Sequence, residues 1–365
     1  MKHYSIKPKV IVAPLSYEVL NEFKLGNHIL ILVSKTVFET FEFSIIFDKL
    51  KRKQNLYIYS HIRPDAPFED LDKVIDDLNG KHIESIIAIG GGSVIDAAKT
   101  LSVAFEGVSY KDVFYNKALM PNKKIKVIAV PTTAGTGAEL SFGAIIYDNQ
   151  NLIKGGLRGE IIQPNGVIID AKLHNACPPK LKAEVGFDCL THAIETYISK
   201  KTNPLAKIQS ISCIENIFKY LTLACKDNDE CAMEKIAISS ALMGINLAYS
   251  STCLPHRIQY VIGPLTGTSH AQGLIALYKG WLKHLADSRL TELKDLVNDL
   301  GMNINQFLKK IQSLKDSLDI NYTITDLGIH QNQIDEISKN VTGNVSADPS
   351  YRDVGTIKKI LTNSL

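Results

Sequence analysis

Along the first half of the chain, short apolar runs rich in β-branched residues alternate with longer segments whose apolar positions fall at helical spacing. The runs are residues 29–33 (ILILV), 56–59, 85–89 (SIIAI), 126–130 (KVIAV) and 167–169. Between them lie patterns such as 68–78, where Phe68, Leu71, Val74, Ile75 and Leu78 share one helical face. This alternation predicts an α/β architecture, a parallel sheet covered by helices on both faces, with ligands at the carboxyl ends of its strands. Past Pro178-Pro179 the pattern changes to long helical stretches, interrupted at Asn203-Pro204, Gly263-Pro264 and Gly301, with few convincing strands. An all-helical second part is expected, with the boundary near residue 172: an α/β domain over 1–172 and a helical domain over 173–365.

Composition narrows the function classes. With 365 residues and 45% hydrophobic content, the chain can bury one large core or two ordinary ones. Lys+Arg 41 against Asp+Glu 38 leaves a net charge of +3, without the basic excess of a dedicated nucleic-acid binder. No stretch approaches the ~20 apolar residues of a membrane span, and residues 1–14 carry no signal-peptide pattern. The six cysteines form no C-x-x-C pair and all lie between Cys177 and Cys253, which suits a reducing compartment better than a disulfide framework. The expectation is a soluble cytoplasmic protein with no nucleic-acid or membrane partner.

Two turns carry a phosphate-binding signal. The run 85–89 leads into Gly90-Gly91-Gly92-Ser93 and then a helical segment, 94–103. Glycines admit close backbone approach, and the N–H groups and dipole at a helix start favour a phosphate. This is not the G-x-G-x-x-G fingerprint, and tight strand–helix packing would also select glycine. A second small-residue turn, PTTAGTGAE (131–139), follows the next strand and lies beside the first if the strands are neighbours. Its Thr132, Thr133 and Thr136 also suit ordinary turn chemistry.

A metal-ligand pattern occupies the second half. Asp188 and His192 are four residues apart, on one face of a predicted helix. His256 and His270 follow fourteen apart, with Gly263-Pro264 placed to fold the chain back between them. One carboxylate and three imidazoles suit a divalent transition metal, although each histidine alone reads equally well as structural.

Taken in order, GGGSVIDAAK (90–99), PTTAGTGAE, Asp188-x-x-x-His192-Ala193-Ile194-Glu195, His256 and His270 resemble the iron-containing (group III) alcohol dehydrogenase family, over about residues 10–285. The resemblance implies a dehydroquinate-synthase-like fold, a Rossmann-like dinucleotide-binding domain followed by an all-helical one. It implies that Asp188, His192, His256 and His270 hold Fe2+, with Zn2+ as the alternative. It further implies that Gly91, Gly92 and Ser93 hold the pyrophosphate of NAD or NADP, and that Asp96, Thr132, Thr133, Thr136 and Lys154 line the nucleotide. The chemistry implied is reversible hydride transfer between nicotinamide and a metal-polarised carbonyl, in a homodimer.

Three departures bear on specificity. Where many family members carry an Asp for the adenosine ribose, this sequence has Ser34 followed by Lys35, which should tolerate NADP(H) unless Lys35 points into solvent. The family's second histidine in this region is replaced by Tyr260, leaving Tyr260 or a metal-linked water to transfer the proton. Arg257 directly follows His256, and this pocket segment is similar to those of phosphonoacetaldehyde and maleylacetate reductases, so Arg257 is read as a contact for a carboxylate or phosphonate, against a surface arginine paired with an acidic neighbour. In addition, Ser269-His270-Ala271-Gln272-Gly273 stands in place of the usual Pro-His-Gly. The sequence therefore points to an NAD(P)-linked reductase of a small aldehyde or ketone, anionic or neutral. A dehydroquinate-synthase-like lyase is the alternative in the same fold, and a binding module without activity is disfavoured because all four ligands are present.

Overall fold

The computed structural model describes residues 7–365, and it divides into two compact units, the first ending at Pro178 and the second running Pro179–Leu365. In the first unit six parallel strands, β1 (Lys9–Val12), β2 (His28–Val33), β3 (Asn55–Tyr59), β4 (Ser85–Gly90), β5 (Lys126–Pro131) and β8 (Gly166–Ile169), lie in the order β1-β8-β5-β4-β2-β3. β6 (Gly143–Asp148) and β7 (Ile153–Arg158) form a separate antiparallel pair. The central runs look continuous rather than alternating because both faces of the sheet are covered. Leu30, Leu32, Ile86, Ala88, Val127 and Ala129 enter one core, and Ile29, Ile31, Val33, Ile87, Ile89, Ile128 and Val130 enter the other.

The topology locates a ligand crevice. From β2 the chain steps to β3 on one side, and β4 then pairs with the other side of β2. Open parallel sheets bind ligands at the carboxyl ends of the strands flanking such a reversal. Here those ends are Val33-Ser34 and Gly90-Gly91, where the Gly-rich turn stands.

All five strands expected from the apolar runs are present, and three further ones were not legible. β1 has only four residues and is largely exposed. β7 contains Gly155-Gly156, which reads as a break; yet a methyl at Gly156 would lie 2.4 Å from the Ala144 carbonyl oxygen, so the hairpin requires a glycine there. The division of the chain falls at Pro178, beyond the boundary expected near 172. The short helix Ala171–Asn175 adds Leu173 to the first unit's core, and its N-cap Asp170 accepts from Leu15 N at 2.8 Å.

The second unit is helical, with no strand among the described residues. Its helices include Pro179–Ile198, Pro204–Lys226, Glu230–Tyr249, Leu254–Thr266, His270–Asp287 and Ile304–Leu318. Asn203 caps its helix, accepting from Ala206 N at 3.0 Å, with Pro204 at the first helical position. The break expected at Gly263-Pro264 is not there. The helix continues to Thr266, and the reversal is made by Gly267, at φ 65°. Pro264 falls in the last turn, where the helix absorbs one missing N–H donor while Gly267 N donates to the Gly263 carbonyl at 2.9 Å.

One buried carboxylate ties this unit together. Asp348 accepts from Trp281 Nε1 at 2.8 Å, Leu254 N at 3.1 Å, Ser350 N at 2.8 Å and Ser350 Oγ at 2.6 Å. It thereby links the C-terminal segment to the two helices that begin near His256 and His270. Asp348→Ala should orphan several buried donors and lower unfolding stability by about 3 kcal/mol or more. Denaturant midpoints check this, and a change under about 0.5 kcal/mol would refute it.

Candidate active site

In the first unit, Gly90 and Pro131 are register partners at the ends of β4 and β5, and Thr132 N donates to the Gly90 carbonyl at 3.0 Å. The two turns are therefore neighbours. Gly91 caps the helix Gly92–Ala104. A methyl at Gly91 would stand 3.0 Å from Thr133 Oγ1, and one at Gly92 2.9 Å from Thr136 Oγ1. The glycines let the second turn close onto the first, beside helix-start N–H groups that have no acceptor within the helix. Thr133 and Thr136 are partly exposed there, whereas Thr132 is buried.

Lys154, on β7, pairs with Asp65 at 2.6 Å, and Asp65 N donates to Ser93 Oγ at 2.9 Å. The lysine is thus held toward the Gly-rich turn through Asp65, a residue at φ 64° that the apolar pattern gave no reason to single out. Ser34 stands at the end of β2, its N–H donating to the Ile89 carbonyl at 2.8 Å, with its hydroxyl making no cap bond. Lys35 is exposed and lies 3.9 Å from Glu39. Asp96 is turned inward. Its carboxylate accepts from Ile145 N at 2.9 Å and lies 3.6 Å from Lys99, tying the helix to β6, and burial pushes its pKa up.

In the second unit, Asp188 and His192 share a face of the Pro179–Ile198 helix, and both the His192 and His256 Nε2 atoms lie 3.7 Å from Asp188 Oδ1. Asp188, His256 and His270 each offer a ligand atom within 4.8 Å of the others. The His192 and His256 rings stack with centroids 4.7 Å apart. His270 sits at the start of its helix, fixed by a capping box in which Ser269 and Gln272 exchange side-chain-to-backbone bonds at 3.2 Å. The Ser-His-Ala-Gln departure therefore supplies a helix start.

The surroundings point to a cation. His256 Nδ1 donates to both Glu195 oxygens at 2.9 Å, leaving Nε2 buried without a hydrogen-bond partner. Burial alone would lower the His256 pKa, but the Glu195 and Asp188 carboxylates override it and raise it to about 10. Asp188 is fully buried, which favours the acid form, yet His192, His256 and His270 hold its carboxyl below the usual range. A site that draws positive charge onto a buried imidazole beside a carboxylate is one a metal would satisfy. One carboxylate and three imidazoles fit a divalent transition metal.

Family models match nearly the whole chain. Residues 9–171 match the iron-containing alcohol dehydrogenase model, and 182–365 match the C-terminal domain model of the same family. The chain belongs to the iron-containing alcohol dehydrogenase family. Among curated members it is 26% identical to aldehyde-alcohol dehydrogenase 2 of Entamoeba histolytica over 92% of this chain and 42% of that protein. It is also 26% identical to the NADPH-dependent butanol dehydrogenase of Clostridium saccharobutylicum, over 82% of this chain and 81% of the relative. The chain spans about two fifths of the length of the aldehyde-alcohol dehydrogenases it matches. In fold it is similar to the sulfoacetaldehyde reductase of Bifidobacterium kashiwanohense, solved with NAD+, at a TM-score of 0.90 and 20% identity over 99% of this chain and 98% of that one.

Glu195 closes the Asp188–Glu195 motif, and its role as the partner of His256 emerges only in the structure. Its spacing of seven from Asp188, two helical turns, was the available signal. Gln259, which hydrogen-bonds His270 Nδ1, had none.

Two outcomes test this geometry. Gly91→Val should weaken NAD(P)H binding about tenfold or more, read by nicotinamide fluorescence, and unchanged affinity would displace the pyrophosphate from this turn. Asp188→Ala should purify with metal reduced to a small fraction of the wild-type content, whereas a full complement by elemental analysis would sink the ligand assignment.

Proposed function

We propose that this chain is a metal-dependent, NAD(P)-linked oxidoreductase that interconverts a small aldehyde or ketone and its alcohol. The observation that carries this reading is the convergence of Asp188, His256 and His270 on one point, with His192 beside them and a buried His256 Nε2 aimed inward. These four side chains would hold the metal, Fe2+ on this reading. When bound, the metal supplies Lewis acidity toward the substrate oxygen and the dinucleotide supplies or accepts hydride. Glu195 fixes the His256 tautomer and ring plane, so that Nδ1 carries the proton and Nε2 presents a lone pair. In the first unit, Gly91, Gly92 and Ser93 receive the pyrophosphate, with Thr132, Thr133, Thr136 and Lys154 around it and Asp96 bracing the helix behind.

Tyr260 is the side chain assigned to proton transfer. It is partly exposed and stacks on His270 with centroids 5.9 Å apart, close to where the substrate oxygen would sit. The substrate on this reading carries a carboxylate or phosphonate, and Arg257 supports it. Its Nη2 donates to Thr252 Oγ1 at 2.6 Å and its guanidinium lies 5.4 Å from the Tyr260 ring. Its Nε is buried without a hydrogen bond, and no carboxylate among the described residues forms an ion pair with it. An arginine without an acidic partner keeps its fork for an anion. The absence of a carboxylate at Ser34 favours NADPH, whereas Lys35, exposed and 3.9 Å from Glu39, lends that preference no support. Homodimerisation and a cytoplasmic location complete the proposal and rest on the family resemblance and composition.

The test is anaerobic NADPH and NADH oxidation by the Fe2+-loaded protein, with phosphonoacetaldehyde and an uncharged aldehyde of similar length. Net nicotinamide oxidation is expected, because a lyase that only borrows the dinucleotide would show none. Absence of net turnover across a panel of aldehydes and ketones would contradict the proposal. Arg257→Met should lower kcat/KM for the anionic aldehyde about a hundredfold while leaving the uncharged one within about threefold. Equal losses on both would make Arg257 structural.

A further inference from the structure

The side chain of Gln259 is buried between the helices Leu254–Thr266 and His270–Asp287. Its Oε1 is hydrogen-bonded to Nδ1 of His270. A methyl at Gly263 would lie 2.7 Å from Gln259 Nε2, and one at Gly273 would lie 2.8 Å from Gln259 Cγ. Two glycines, one on each helix, thus leave the space that this amide fills. We propose that Gln259 is a positioning residue for the metal: its amide oxygen holds the His270 Nδ1–H so that Nε2 faces the Asp188–His256 point, and Gly263 and Gly273 form the cradle that keeps the amide there.

The argument rests on the metal reading given above and adds a role for a residue outside the ligand set. An imidazole that binds metal through Nε2 must carry its proton on Nδ1, and it binds best when an acceptor fixes both tautomer and ring plane. Glu195 does this for His256, and Gln259 is the corresponding group for His270. A neutral acceptor suffices there because Asp188 and Glu195 already concentrate negative charge in the site. Gly263 lies one turn beyond Gln259 on the same helix, and Gly273 lies one turn beyond His270. A side chain at either would press on the amide and loosen its hold on the ring.

Zn2+ affinity measured by competition with a chromophoric chelator tests the inference, with thermal midpoints recorded for every variant. Gln259→Met keeps the volume and removes the acceptor, and should weaken Zn2+ binding about tenfold to a hundredfold. Gln259→Glu restores an acceptor and should bind within about threefold of wild type or tighter. Gly263→Ala should weaken binding as Gln259→Met does, and combining the two should cost little more than either alone, since both remove one interaction. Equal affinities for the Met and Glu variants, or a Gly263→Ala effect that adds fully to that of Gln259→Met, would overturn the proposal. Asp188→Ala serves as the reference. If it binds Zn2+ like wild type, the metal reading itself fails, whereas its loss of binding alongside an unaffected Gln259→Met protein rejects only the role of Gln259.

Discussion

Two carboxylates buried two helical turns apart on one helix set the terms for the second unit. Asp188 and Glu195 are almost wholly removed from water, and both are directed at imidazoles. Charge in that environment is costly unless it is matched, and the hydrogen bond from His256 Nδ1 serves Glu195 while His256 Nε2 stands 3.7 Å from Asp188 without one. On the proposed reading, a cation at the inward-facing nitrogens supplies the match. The unit is arranged to place those nitrogens: Asp348 ties down the helix start near His256, a capping box fixes the helix that begins at His270, and the glycine reversal at 267 brings that helix back.

The first unit solves a different problem with backbone rather than charge. A sheet covered on both faces leaves its carboxyl ends as the place where polypeptide N–H groups and small side chains can meet a ligand. The pairing of β4 with β5 sets two small-residue turns side by side, and a lysine on the neighbouring hairpin is aimed by Asp65. The division of labour follows from the chemistry. On the proposed reading, an anionic pyrophosphate would be met by N–H groups and a lysine, while a metal would require converging lone pairs in a rigid, buried frame.

Much of this was legible in the chain itself. Strands buried on both faces announce themselves as runs such as ILILV and SIIAI, and the Asp188–His192 spacing alone puts two candidate ligands on one helix face. What escaped depends on contacts distant in sequence. The hairpin β6–β7 was hidden because Gly155-Gly156 reads as a turn, although the close approach of Ala144 demands it. The helix that carries His256 runs through Pro264 because a proline in a last turn costs little, so a strong local breaker gave way to its position. For Lys35 a solvent-facing alternative stood open and for Arg257 an acidic partner, and only the structure separates a loosely paired exposed lysine from an arginine without a carboxylate.

The proposed metal site draws on four side chains from three helices, Asp188, His256 and His270 converging on one point with His192 beside them. X-ray absorption at the edge of the bound metal tests it most directly, because multiple scattering from imidazole rings counts the histidines bound. The account predicts three imidazoles and at least one carboxylate oxygen, falling to two imidazoles in His192→Ala. Two or fewer imidazoles in the wild type, or a spectrum unchanged by His192→Ala, would contradict it.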